Sequence, residues 1–235
     1  MNGTHAYGVD IDIEVFDLDG GSISMGVVNI SENKIYGGNY GINFYGDFYG
    51  NGWLGVNNLT DVNVDVDDVI INKNIMLSQF TYAIYMDYYD ADYWNGSTTG
   101  VYGDLIINDN TIKSETADAI YISDYAYWDY FYGDASLTVG NLFIQDNKID
   151  VDGEGIYVYY SYTAYEFYDN ANVVMGNAFI NDNKIYNSSY GIDIDVEDFE
   201  EMYDHATATI GSVSYTHLRA HETRHDIVCR LLLEK

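Results

Sequence analysis

One short run, I-x-x-N-x-I, recurs five times at nearly constant intervals: ISENKI at 30–35, INKNIM at 71–76, INDNTI at 107–112, IQDNKI at 144–149 and INDNKI at 180–185. The central asparagines Asn33, Asn74, Asn110, Asn147 and Asn183 are 41, 36, 37 and 36 residues apart. A fixed period of this length belongs to stacked supersecondary units that bury their apolar faces on one another, not to a closed globule.

Two further elements travel with the asparagine run. Four residues before its first apolar position stands Gly26, Gly103, Gly140 or Gly176, with Asp67 as the exception. Eight or nine residues after the asparagine comes a small residue followed by isoleucine, at Gly41, Ala83, Ala119, Gly155 and Gly191. The unit reads G-x-φ-x-I-x-x-N-x-I, a spacer, then [GA]-I-x-φ. Ile156, Val158 and Tyr160 alternate with Tyr157 and Tyr159, and Ile192, Ile194 and Val196 alternate with Asp193, Asp195 and Glu197. Period two with one apolar face is the pattern of a half-buried strand, and no stretch before residue 213 has helical spacing. The chain is therefore expected to be an all-β solenoid of about five coils of roughly 36 residues.

In such a stack the asparagines are expected at the bends between strands, in left-handed backbone angles. Stacked coil on coil, their amides form a structural ladder. The residues that carry the repeat resemble the right-handed parallel β-helix repeat proteins, which include pectate-lyase-like and adhesin-like surface proteins. INDNTI followed by AIYI, and INDNKI followed by GIDI, are similar to that family's N-x-I and G-I-x-L coil signatures. The resemblance covers Gly8 to Ser212 and implies a right-handed solenoid from a secreted or cell-surface protein. Leucine-rich repeats are the rival fold; the excess of Ile, Val and Tyr over Leu and the length of the unit stand against them.

Residues 1–212 are expected to form this one repeat domain, with both ends reading as cut from a longer protein, and 213–235 to be a separate tail. All three arginines (Arg219, Arg224, Arg230), the single cysteine (Cys229) and three of the five histidines lie in VSYTHLRAHETRHDIVCRLLLEK. Val213 to Thr223 resembles the in-frame translation of a transposon-type sequencing adapter, and Val228 to Glu234 the primer sequence that follows it. No function is expected of the tail.

The tail holds four basic and three acidic residues, so Met1 to Ser212 carries five lysines against 35 acidic residues, a net charge of −30. Nucleic-acid binding needs clustered Lys and Arg to displace counterions, and an anionic membrane surface needs the same, so neither is expected as a partner. No apolar run reaches the roughly 18 residues of a membrane-spanning helix.

Between the [GA]-I strand and the next glycine lie long segments rich in Tyr, Trp and Asp: 88–100, 123–134 and 159–170. They are expected to be loops on one edge of the solenoid, where recognition residues commonly sit. Flat aromatics beside carboxylates suit sugars, whose apolar faces stack while hydroxyls hydrogen-bond. The candidate glycan-binding residues are Tyr93, Trp94, Tyr127, Trp128 and Tyr130, with Tyr85, Tyr121 and Tyr157 as a column repeated at the same outward position. The alternative is that these tyrosines only stabilise the stack. Glycans or host-surface molecules are the expected partners.

Three other readings attach to the acidic residues. Asp10, Asp12, Asp193 and Asp195 alternate on strands and are candidate calcium ligands, although no EF-hand loop is present. Calcium is the one cofactor considered. Asp61, Asp65, Asp67 and Asp68 read as a loop cluster, and Asp67 with Asp68 is the weak candidate for a catalytic pair in a polysaccharide-degrading enzyme. No arginine precedes the tail, whereas the family's lyases use Arg or Lys as base, so an enzyme is the lesser expectation.

Overall fold

The computed structural model describes residues 7–15, 19–49, 59–78, 80–115, 117–131, 133–197, 205–209 and 211–216. They form a parallel β-solenoid of about four turns, one fewer than expected, because five asparagine positions bound only four steps. Every strand pair is parallel, and each strand pairs with its counterpart one period away: Ile71 with Ile107 and Ile107 with Ile144, or Ile112 with Ile149 and Ile149 with Ile185.

One coil shows the path. Strand Leu105–Asn108 belongs to a six-stranded sheet B, and Thr111–Ser114 to a five-stranded sheet C. The chain then enters the long strand Asp118–Phe131, turns, and returns through Ser136–Val139 to the next strand of sheet B, Leu142–Gln145. Long and returning strands make up a twelve-stranded sheet A, joined where Leu59 pairs with Trp94 and Thr60 with Asn95. The segments expected as loops are thus largely strand: Tyr82–Asn95, Asp118–Phe131 and Glu154–Phe167 each run for 14 residues. Tyrosine, tryptophan and β-branched residues suit a pleated ladder, and in-register pairing with the neighbouring coil satisfies the backbone that a loop would have left to water.

The same pairing explains the uneven period. Trp128 pairs with Asp92 but Tyr130 with Tyr93, so Asp129 is an extra residue bulged out of the ladder. That residue makes the Asn110 to Asn147 step 37 rather than 36. The following strand keeps the extra residue, but its sheet C to sheet A corner is one shorter, from Ile149 to Ile156 instead of Ile112 to Ile120, and the step returns to 36.

Two apolar compartments fill the coil. The larger stacks Ile71, Ile107, Ile144 and Ile180 from sheet B on Met76, Ile112, Ile149 and Ile185 from sheet C and on Ile84, Ile120 and Ile156 from sheet A. The second lies between the far end of the long strands and the returning strands, and contains Trp94, Phe131, Val62, Val64, Leu137 and Val173. Tyr160 touches both. A cavity of about 30 Å³ sits between the compartments, lined by Tyr102, Leu105, Ile122, Val139, Leu142 and Tyr160 among others.

The asparagines form a continuous ladder at the bend from sheet B to sheet C. Each Nδ2 donates to the next Oδ1, at 3.0 Å from Asn33 to Asn74, 3.1 Å from Asn74 to Asn110, and 3.0 Å onward to Asn147 and Asn183. The backbone N–H of each rung donates to the same Oδ1 at 2.9–3.1 Å. The second Nδ2 hydrogen of Asn74, Asn110, Asn147 and Asn183 reaches a sheet B carbonyl, of Ile30, Ile71, Ile107 and Ile144. The left-handed residue is not the asparagine, however, but the one before it: Glu32, Lys73, Asp109, Asp146 and Asp182 have φ of 53–60°. One residue in that region reverses the chain direction enough to aim the following amide inward, and the exposed polar residue carries the backbone cost.

A second ladder runs along the bend from sheet A to sheet B. Asp68 Oδ1 accepts the Asp104 backbone N–H at 2.8 Å, Asp104 Oδ1 accepts that of Asn141 at 2.7 Å, Asn141 Oδ1 that of Asn177 at 3.0 Å, and Asn177 Oδ1 that of Ser212 at 3.0 Å. All but Asp68, which follows Asp67, stand directly after the recurrent Gly103, Gly140, Gly176 and Gly211, whereas Val27 follows Gly26. Sheet B also continues through Val213–Thr216, paired with Ala178–Asn181, into the first residues of the expected tail; residues 217–235 lie outside those described.

Candidate functional site

The outer face of the long strands carries the densest constellation of chemically distinctive side chains. Strand parity sends Ile84, Met86, Ile120, Ile122, Ile156 and Val158 inward, so Tyr85, Asp87, Tyr121, Ser123, Tyr157 and Tyr159 alternate outward. Parallel registry then converts the period into columns. One contains Asp10, Asn43, Tyr85, Tyr121, Tyr157 and Asp193, and the next Asp12, Tyr45, Asp87, Ser123, Tyr159 and Asp195. At the start of the strands Tyr7, Tyr40 and Tyr82 align, followed by Asp118 on the next strand.

Seven tyrosine rings make one connected layer. Tyr7 stacks on Tyr40 with centroids 5.2 Å apart, and Tyr40 on Tyr82 at 5.7 Å. Tyr85 stacks on Tyr121 at 5.2 Å and 12°, Tyr121 on Tyr157 at 5.0 Å, and Tyr157 on Tyr159 at 6.4 Å. An edge contact of Tyr40 and a tilted contact of Tyr82 with Tyr85, at 5.3 and 5.0 Å, tie the two columns together. The stacking has a consequence for recognition. Faces within the column are covered by neighbouring rings, so a ligand meets ring edges and phenolic hydroxyls instead of open aromatic platforms.

The layer is electrostatically one-sided. Asp87, Asp118, Glu154, Asp193 and Asp195 stand around the rings, and the three columns contain no Lys or Arg. Tyr85 donates from its hydroxyl to Asp87 at 3.0 Å. Burial and the neighbouring carboxylates push the Tyr157 phenol up to about 12 and raise those of Tyr40, Tyr82, Tyr85 and Tyr121. These hydroxyls are therefore neutral donors and acceptors at physiological pH.

Burial also raises the carboxyl of Asp87, in spite of hydrogen bonds from Tyr85 and Ser123 that act the other way. Glu154 is raised by burial and then by Asp118 and Asp193. A carboxyl whose folded-state value is raised favours folding below its unfolded value of about 4 and loses that contribution as pH rises through the folded value. Acidification from about pH 7.5 toward about pH 4 is expected to raise the melting temperature, and Asp87→Asn to raise it at pH 7.5 and narrow the difference. A melting temperature that falls on acidification in both proteins is the contrary result.

The other candidate residues fall elsewhere. Trp94 is fully buried, stacked on Phe131 at 5.6 Å in the second compartment, with its Nε1 unpartnered, and so is removed from any glycan surface. It shares the inward parity of Ile84 and Met86, which a loop reading of 88–100 could not show. Tyr93, Tyr127, Trp128 and Tyr130 lie in the long strands, but their side chains are outside those described. Asp61 and Asp65 are not in a loop; they are the exposed positions of strand Leu59–Val66, alternating with buried Val62, Val64 and Val66. Asp67 and Asp68 occupy the bend after it, and the Asp68 carboxylate is a rung of the second ladder. Asp10 and Asp12 stand on one edge strand of this face and Asp193 and Asp195 on the opposite edge strand, with four strands between. They are two separate pairs, and Asp10 Oδ1 accepts from Asn43 Nδ2 at 2.8 Å. Among the described residues no three His, Cys, Asp or Glu side chains gather closely enough to hold a metal ion, and no helix is long and apolar enough to cross a membrane.

Compared with family models, with curated proteins and with solved structures, the chain matches none of them.

Proposed function

We propose that this solenoid is an adhesin-like or spacer region of a secreted or cell-surface protein, and that the tyrosine layer of sheet A is its recognition surface for neutral glycans. The observation that carries this reading is the continuity of the layer: seven rings connected across five strands, with hydroxyls and carboxylates at their rims. A row of neutral phenols beside carboxylates presents hydrogen-bond donors and acceptors in the mixture that sugar hydroxyls require, over an apolar floor of ring edges. A formal charge of −29 directs the preference to uncharged sugars, since polyuronates and sulfated glycans are repelled. The likeness of the repeat to pectate-lyase-like surface proteins supports the same setting.

Tyr121→Phe separates recognition from stability, because it keeps the stacked ring and removes the hydroxyl. On a panel of neutral oligosaccharides the variant is expected to bind about tenfold more weakly than the wild type, equivalent to about 1.4 kcal/mol, with an unchanged melting temperature. Binding to none of the panel by the wild-type protein would remove the recognition role and leave the spacer role alone.

A further inference from the structure

The charge of this molecule is unevenly placed, and sheet B is the one of the three sheets whose strands carry none of it, although the returning strands Thr99–Tyr102, Ser136–Val139 and Asn172–Met175 of sheet A are uncharged too. Its six strands read VNIS, VIIN, LIIN, LFIQ, AFIN and VSYT, 24 residues without one Asp, Glu, Lys or Arg in a chain that is 20% charged. The inward residues belong to the larger core. Outward, registry sets Ile70, Ile106, Phe143 and Phe179 in one column and Asn72, Asn108, Gln145 and Asn181 in the next. The four apolar side chains are half-buried, and Phe143 stacks on Phe179 at 5.1 Å and 11°. Exposed charges resume at the bends on both sides, with Asp67 on one and Lys73, Asp109, Asp146 and Asp182 on the other.

We infer that the outer face of sheet B is a self-association surface on which two copies of this chain pack face to face and antiparallel. The occupant follows from charge. Two molecules of net charge −29 repel wherever carboxylates meet, and a flat uncharged face is where they approach at least cost. The orientation follows from the columns. A twofold axis parallel to the solenoid would lay the apolar column of one copy on the amides of the other. An axis parallel to the strands lays apolar on apolar and amide on amide. With that axis between Ile106 and Phe143, each isoleucine meets a phenylalanine, Ile106 against Phe143 and Ile70 against Phe179, so the small and large side chains are complementary.

Six strands about 4.8 Å apart and four residues of about 3.3 Å each give a face of roughly 300 Å². That is below the roughly 800 Å² per partner of a stable complex, so the association is weak and reversible. Its salt dependence is distinctive. Screening relieves repulsion between the charged rims and leaves apolar packing intact, so salt strengthens the contact, where an ion-paired interface would weaken.

Sedimentation equilibrium of the full chain at roughly 0.05 and 0.5 M NaCl tests this. The expected result is a monomer–dimer equilibrium at least about threefold tighter at the higher salt, abolished by Phe143→Asp and by Ile106→Asp. Both substitutions are on the outer face, and an unchanged thermal transition confirms that the coil is intact. A wild-type protein monomeric at both salts, a dimer loosened by salt, or a dimer that persists in a folded Phe143→Asp variant overturns the inference. None of these outcomes bears on the tyrosine face, which remains free in the dimer and is read separately by Tyr121→Phe.

Discussion

Asn110→Ala is expected to lower the unfolding free energy by about 3–5 kcal/mol, among the largest effects of any single side chain here. The amide is 1% exposed and makes four side-chain bonds: its Oδ1 accepts the N–H and Nδ2 of Asn74, and its Nδ2 donates to Ile71 O and Asn147 Oδ1. Alanine removes all four. It strands the Asn74 N–H in a region where a lost partner costs the full desolvation of the remaining group, and it takes a donor away from the Ile71 carbonyl. Asn33→Ala, at a part-buried rung whose Nδ2 donates to Ser31 O of its own coil and not to a backbone carbonyl of a neighbouring coil, is expected to cost about 1 kcal/mol. Equilibrium urea unfolding measures both. Equal losses for the two variants would mean that the ladder contributes only local bend chemistry and not coupled burial.

Gly140→Ala is expected to destabilise the chain by at least about 3 kcal/mol, through contact between coils and not through backbone angles. A Cβ on Gly140 would lie 2.4 Å from the Gly103 carbonyl oxygen and 2.5 Å from its carbon, and neither is a flexible side-chain end. The stack cannot open there without lengthening the hydrogen bond from Gly140 N to Tyr102 O at 2.8 Å and the adjoining ladder bonds of Asn141. Gly191→Ala is the matched control, since a Cβ there meets nothing within 4 Å. It is expected to be neutral or to stabilise by up to about 1 kcal/mol by restricting the unfolded chain. Thermal melts of the pair decide the matter, and similar melting temperatures would show that the close approach at Gly140 is relieved by a small shift of the coil.

The two substitutions also mark how far the residues could be read before the fold was known. Asn110 and its counterparts stand out because the ladder demands the same side chain at every rung, and a demand repeated each period is visible in one sequence. The second ladder is harder to see because its rungs vary: Asp68, Asp104, Asn141, Asn177 and Ser212 have in common an acceptor oxygen and not an identity. Aligning the units on their glycines would have exposed it. The left-handed residues at the bends vary similarly as Glu, Lys or Asp, because only their backbone is used.

The long strands are hidden in the sequence for a different reason. Segments of Tyr, Asp, Gly and Asn have the composition of loops, and their alternation is hidden by tyrosines on both faces. Trp94 and Phe131 are core residues only because the strands persist far enough to enclose a second compartment with Val62, Val64 and Leu137.

From the sequence alone came the repeat, the inward isoleucines and the strand class, because these depend on periodicity along one chain. The column of Tyr85, Tyr121 and Tyr157 is readable from the period in the same way; only the tertiary structure decided which columns lie side by side, and with it the merging of the tyrosines into one layer and the gathering of uncharged residues on sheet B. Columns form between residues about 36 positions apart, and a single bulged residue such as Asp129 shifts every partner beyond it. That registry is set by pairing between coils, which local sequence does not encode.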